Sequence, residues 1–108
     1  MASDMEFVEY VVGQLSELGE IRYKKMFGEY GIYLQEKLVA LVCDNQLFVK
    51  PTESGRAFLK SVKEEPPYPG AKPSFLIEEL ENRELLRELI EITWLELPVK
   101  KVKIKGSV

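Results

Sequence analysis

Tyr30-Gly31-Ile32-Tyr33-Leu34-Gln35-Glu36-Lys37-Leu38-Val39-Ala40-Leu41-Val42-Cys43-Asp44-Asn45-Gln46-Leu47-Phe48-Val49-Lys50 is the stretch whose pattern decides the fold. Tyr30, Ile32 and Leu34 alternate with Gly31 and Tyr33, and Leu47 and Val49 alternate with Gln46, Phe48 and Lys50. A period of two is the spacing of a strand with one buried face. Residues 38–43 are apolar throughout, which suits a central strand covered on both sides. Asp44 and Asn45 tolerate the left-handed backbone of a two-residue hairpin, so the strands flanking them should pair antiparallel. Gly28 and Gln35-Glu36-Lys37 mark the other breaks. The expected unit is a four-stranded meander over about 21–27, 29–35, 37–43 and 46–50, with separators too short for parallel crossovers.

Helices flank the meander. Ser3 and Glu6 stand in the order of a capping box. Phe7, Val8, Val11, Val12, Leu15 and Leu18 then form one apolar stripe, and Gly19 supplies a stop, which predicts a helix over 3–18. Thr52 can cap a second helix near 53–63 that carries Ala57, Phe58, Leu59 and Val62. Residues 64–73 hold four prolines and a glycine and read as a loop. Phe75-Leu76-Ile77 adds a short edge strand. A third helix runs from an Asn82 cap to Leu97, with Leu85, Leu86, Leu89, Ile92, Thr93 and Leu97 inward and Pro98 closing it. The order α-ββββ-α-(β)-α predicts a two-layer α+β domain, an antiparallel sheet with three helices mainly on one face, over residues 1–97. Residues 98–108 form a basic tail.

The chemical toolkit is thin. The 108 residues contain no histidine, which removes Ser-His-Asp triads, Cys-His dyads and imidazole metal sites. The single cysteine forbids an intramolecular disulfide and fits a reducing cytoplasm. No apolar run approaches the ~20 residues of a membrane helix. Met1-Ala2-Ser3-Asp4 shows no signal-peptide pattern, so cytoplasmic location without membrane attachment is expected. The net charge of −3 hides an asymmetry: Lys100, Lys101, Lys103 and Lys105 sit in the tail, leaving residues 1–97 at −7. Such a body repels nucleic acid at long range.

Each candidate group has an ordinary explanation. Cys43 reads as an inert core thiol, with no cation within four positions to activate it. Glu78, Glu79, Glu81, Glu84, Glu88, Glu91 and Glu96, interleaved by Arg83 and Arg87, read as a solvated helix face. Gly28 and Gly31 precede a strand rather than a helix. They therefore suit a tight turn and a bare spot in the sheet, not a phosphate cradle. Arg22, Lys24 and Lys25 alternate with Tyr23, Tyr30 and Tyr33, a mixture found on interaction surfaces and on single-strand nucleic-acid platforms. More often it is a solvated strand face. Tyr68 in the proline-rich loop is compatible with partner binding.

Three segments carry a resemblance: Lys25-Met26-Phe27-Gly28-Glu29-Tyr30-Gly31-Ile32-Tyr33-Leu34, Lys37-Leu38-Val39-Ala40-Leu41-Val42 and Leu47-Phe48-Val49-Lys50. Together they resemble the amino-terminal domain of the TfoX/Sxy family of bacterial competence regulators, from about Gly13 to Leu97. Pro66-Pro67-Tyr68-Pro69-Gly70 stands where that domain has a Pro-rich segment. Glu29 departs from the family's second glycine, and Gln35-Glu36-Lys37 lacks its turn glycine. Full-length regulators add a second, helical domain. The resemblance implies a two-layer α+β fold, a cytoplasmic setting and a link to transcription regulation beside the cyclic-AMP receptor protein. It brings no catalytic residue and no cofactor.

The expectation is therefore a non-enzymatic regulatory domain without cofactor or metal that acts through a protein partner, a second copy of itself included. Its interaction surface would draw on Arg22, Lys24, Lys25, Tyr30, Tyr33 and Tyr68. The alternative is an accessory DNA- or RNA-binding domain that uses Arg22, Lys24, Lys25 and the tail lysines Lys100, Lys101, Lys103 and Lys105, with weak, salt-sensitive contacts.

Overall fold

A computed structural model describes residues 3–26 and 29–98. Helix α1 (Met5–Leu15) runs into a 3-10 turn (Ser16–Leu18) and is followed by strands β1 (Ile21–Met26), β2 (Glu29–Leu34), β3 (Lys37–Cys43) and β4 (Gln46–Val49). Helix α2 (Glu53–Leu59), strands β5 (Lys63–Glu65) and β6 (Ser74–Ile77) and helix α3 (Arg83–Glu96) complete it. The meander forms as its period-two pattern predicts. Asp44 and Asn45 turn the β3–β4 hairpin at φ 54° and 56°, both left-handed. Gln35 accepts φ 56° at the β2–β3 turn without a glycine. Phe27 and Gly28, the end of the first predicted strand and its turn, lie outside the described residues.

The sheet has six antiparallel strands in the order β1-β2-β3-β4-β6-β5, not four and an edge. Phe75-Leu76-Ile77 is no edge strand: β6 inserts between β4 and β5, and all four of its residues are buried. Its unbroken apolar run is what a strand covered on both faces requires. The edge is instead β5, which runs from the predicted end of the second helix at Lys63 into the start of the expected loop. A charged Lys63-Glu64-Glu65 strand with one partner needs no apolar pattern. It becomes available because Lys60, at φ 67°, ends α2 earlier than the predicted residue 63 and turns the chain back.

All three helices pack on one face of the sheet. Val8, Val11 and Leu15 from α1 and Leu86, Leu89 and Ile90 from α3 meet Ile32, Leu34, Val42, Leu47, Val49, Phe75 and Ile77 in one core, with Phe58 and Leu59 of α2 against it. Ile90 was not among the expected inward residues, while Leu85 and Ile92 are only half-buried. A bulge between Ile32 and Tyr33 of β2 leaves Val39 as the extra residue opposite, so Val39 and Ala40 both reach the core. The other face carries the smaller cluster Cys43, Phe48 and Leu76, with Leu41 half-buried beside it.

Side chains near and distant in sequence tie the helix ends. Thr52 Oγ1 accepts from Gly55 N at 2.9 Å and Asn82 Oδ1 from Leu85 N at 3.2 Å, the two caps the sequence announces. The Glu96 carboxylate accepts from Glu53 N and Ser54 N, both at 3.0 Å, and so caps α2 from the end of α3. Hydrogen bonds from Ser54 and then Glu53 hold its carboxyl below the ordinary range. Glu96 is thus a cap, whereas Glu84, Glu88 and Glu91 are exposed as expected. Arg87 pairs with Glu17 of the 3-10 turn, not with its neighbours on α3.

Candidate functional site

Antiparallel register decides which candidate residues share a face. Arg22 lies opposite Tyr33 and Lys24 opposite Gly31, and the latter row continues through Leu41, Phe48 and Leu76 to Lys63. Arg22, Lys24 and Tyr33 therefore stand on the face away from the helices. Lys25 lies opposite Tyr30, and Tyr23 opposite Ile32, on the helix side. The structure splits the expected set.

Tyr30 is a core residue, 9 % exposed, with the Tyr23 ring edge-on at 5.9 Å. It is not available as a stacking surface. Tyr68 is exposed on the Pro66–Pro73 strap, which crosses the outer face near Leu41 and Cys43 and meets β1 at its last residue, Met26. Lys100, Lys101, Lys103 and Lys105 lie outside the described residues.

What β1 does present is an edge. It occupies one end of the sheet and pairs with β2 alone among the described strands. Arg22, Tyr23, Lys24 and Lys25 are exposed in succession between half-buried Ile21 and Met26. Arg22, Tyr23, Lys24 and Tyr33 line a shallow groove of about 240 Å³ along it.

Where β2 begins, opposite Met26 of β1, lies a clasp. Glu29 Oε1 accepts from Ser3 N and Oε2 from Asp44 N, both at 2.9 Å. Ser3 Oγ accepts from Asn45 N at 2.9 Å, and Asn45 Oδ1 from Asp4 N at 2.8 Å. The start of α1 is thus pinned to the β3–β4 turn. The Ser3–Glu6 capping box does not form: Asp4 occupies the N-cap without a side-chain bond, because Ser3 is engaged by the turn. Partial burial raises the Glu29 pKa, but hydrogen bonds from Asp44 and Ser3 outweigh it and hold the carboxyl below its ordinary value of 4.5. The Cys43 thiol, 5 % exposed, is pushed up to about 11 by burial and then by the charges of Glu29 and Asp44, the opposite of an activated nucleophile.

Gly31 is the bare spot expected. A Cβ there would meet Met26 Sδ at 2.5 Å, Leu38 Cδ1 at 2.9 Å and Tyr33 Cε1 at 3.5 Å, so the Met26 sulfur, the Leu38 methyl and the edge of the Tyr33 ring share the place.

The pattern of the TfoX N-terminal domain matches residues 13–94, a span that takes in the whole sheet and nearly all of α3. This chain belongs to the TfoX N-terminal domain family. It is also 36 % identical over 102 residues to an uncharacterized 12.7 kDa protein in the trpE 5' region of Spirochaeta aurantia. The alignment covers 94 % of this chain and 89 % of that protein. Within the TfoX domain, Glu29 had registered in the sequence only as a missing glycine. Its partners are 26 and 15 positions away, which no local motif announces.

The clasp makes a prediction. Glu29→Gln should cost about 1 kcal/mol near neutral pH, since solvent screens a half-buried carboxylate. A depressed carboxyl pKa contributes stability above 4.5 that is lost as pH falls through the folded-state value. The wild-type advantage should therefore be full at pH 7 and shrink below 4.5. Urea unfolding of both proteins across that range is the check.

Proposed function

We propose that this TfoX N-terminal domain is a non-enzymatic interaction domain of a regulatory system, and that β1 docks an extended acidic segment of a partner protein. The observation that carries the reading is the exposed Arg22-Tyr23-Lys24-Lys25 run on an edge strand. The outer rim of an edge strand offers unpaired N–H and C=O groups to an added strand. Its cations project from both faces, so a strand bearing acids on either face gains ion pairs. Lysines on an edge also repel strands that lack acids, which turns a guard against aggregation into selectivity.

Support for the non-enzymatic reading comes from the lack of histidine, the raised Cys43 thiol and the water-facing glutamates of α3. The nucleic-acid alternative draws less from the register. Lys25 faces away from Arg22 and Lys24, and Tyr30 is buried. Arg22, Lys24 and Tyr33 do share the outer face, but two cations beside one half-buried ring are fewer than a single-strand platform of successive stacked bases uses.

The test is a titration of the isotope-labelled chain with peptides alternating Glu and Val or Gln and Val, and with a single-stranded oligonucleotide. The acidic peptide should shift the amides of residues 21–26, bind more weakly as salt rises, and lose its effect in the Arg22→Glu/Lys24→Glu variant. Stronger shifts from the oligonucleotide, or equal shifts from the two peptides, would contradict the proposal.

A further inference from the structure

Between the proline-rich strap and the outer face of the sheet lies a cleft of about 320 Å³ that shares no lining residue with the Arg22–Tyr33 groove. Met26, Leu41 and Cys43 contribute from the sheet and Pro67, Tyr68 and Pro69 from the strap, so most of its wall is apolar. Its volume lies near the ~300 Å³ lower end of small-molecule sites, suited to a single ring with a short chain. A helix or strand would not fit.

The polar part of the wall has one sign. Glu29 and Asp44 line the cleft, and among the described residues no lysine or arginine lines it. The clasp fixes this charge: Ser3 N and Asp44 N each hold one Glu29 oxygen, so the carboxylate cannot swing into solvent. Asp44 stands at the rim, its backbone placed by the left-handed hairpin turn at φ 54°. The buried thiol on the wall senses the same field, since both carboxylates help to raise its pKa. An apolar, aromatic-bearing wall with one held carboxylate and a second at its rim complements an organic cation.

We propose that this cleft binds a small organic ammonium compound, with its apolar body between the strap and Leu41 and its charged nitrogen toward Asp44 and Glu29. Of β1 the site takes only Met26, its last residue, and none of Arg22, Tyr23, Lys24 or Lys25, so it does not depend on the docking function.

The test uses the full chain and three probes of nearly equal shape: 2-phenylethylammonium, 2-phenylethanol and phenylacetate. Amide shifts identify the location, and titration gives the affinities. The cation should shift Cys43, Asp44 and the strap residues around Tyr68, and bind about fivefold more tightly than the neutral alcohol, the scale of one exposed ion pair. Phenylacetate should bind more weakly than either. Asp44→Asn retains a residue that tolerates the left-handed turn and keeps the backbone N–H that Glu29 holds. Its spectrum should therefore show the fold intact while the preference for the cation falls. Equal binding of the three probes, shifts confined to other surfaces, or an unchanged preference in a folded Asp44→Asn protein would overturn the proposal.

Discussion

Phe75→Ala is expected to remove about 3–5 kcal/mol of folding stability, the range for truncating a fully buried aromatic side chain. Phe75 is 0 % exposed on β6, the strand that joins the meander to the β5 edge. A Cβ on Gly55 would come within 3.0 Å of its ring, so α2 packs closely over it, and the Arg56 guanidinium carbon stands 5.5 Å from the ring centroid. The hole left by alanine would thus be bordered by both α2 and the sheet, neither free to collapse into it. Against a domain stability of about 5–15 kcal/mol, this is a large fraction. Leu95→Ala is the matched control: Leu95 is 70 % exposed on α3, and its loss should change stability by less than about 0.5 kcal/mol. Denaturant unfolding monitored at Trp94 measures both.

Lys37→Met is expected to cost about 2–3 kcal/mol, although the residue sits at the start of a strand and looks like a surface lysine. Its Nζ donates to Trp94 O and Leu97 O, both at 2.7 Å, and lies 4.2 Å from the Trp94 ring centroid. One ammonium therefore satisfies two carbonyls at the end of α3, where the helix has no basic residue of its own in its last turn. Trp94 Nε1 donates in return to Leu34 O at 3.0 Å, so strand and helix end are joined from both sides. Methionine keeps the stem but cannot donate. Arginine should restore only part of the loss, because a planar fork does not fit a site shaped for a point charge. The same unfolding experiment measures the cost. A change below about 0.5 kcal/mol would mean that the contacts contribute nothing net.

These two residues show where the sequence was legible and where it was not. The meander could be read because β2 reaches β3, and β3 reaches β4, through a two-residue turn, so that local alternation and Asp44-Asn45 carry the necessary information. The Thr52 and Asn82 caps act within three residues and were equally visible. The position of β6 was not, because three apolar residues look alike in an edge strand and in one inserted between β4 and β5. Only the long return through α2 and β5 decides between them. Ser3 had a local partner in Glu6 and a distant one in the β3–β4 turn, and the distant one prevails.

The candidate site was half legible. Its composition, cations alternating with tyrosines, was plain in the sequence. The division of Lys25 and Tyr30 from Arg22, Lys24 and Tyr33 follows from register, and the burial of Tyr30 from the helices packed above it. Glu29, Lys37 and Glu96 act across 15 to 60 positions and left no local trace.

Site-specific photocross-linking in the cells that make the protein tests the docking claim most directly. A photoreactive phenylalanine analogue replaces Tyr23, 40 % exposed on β1, or Leu95 on α3 as the control. The account predicts adducts at the Tyr23 position that carry peptide from another protein, rich in Asp and Glu next to the linked residue. These adducts should disappear when Arg22 and Lys24 are changed to glutamate, and should not form at the Leu95 position. Nucleotide adducts at the Tyr23 position, adducts only at the Leu95 position, or protein adducts that persist after the charge reversal would contradict it.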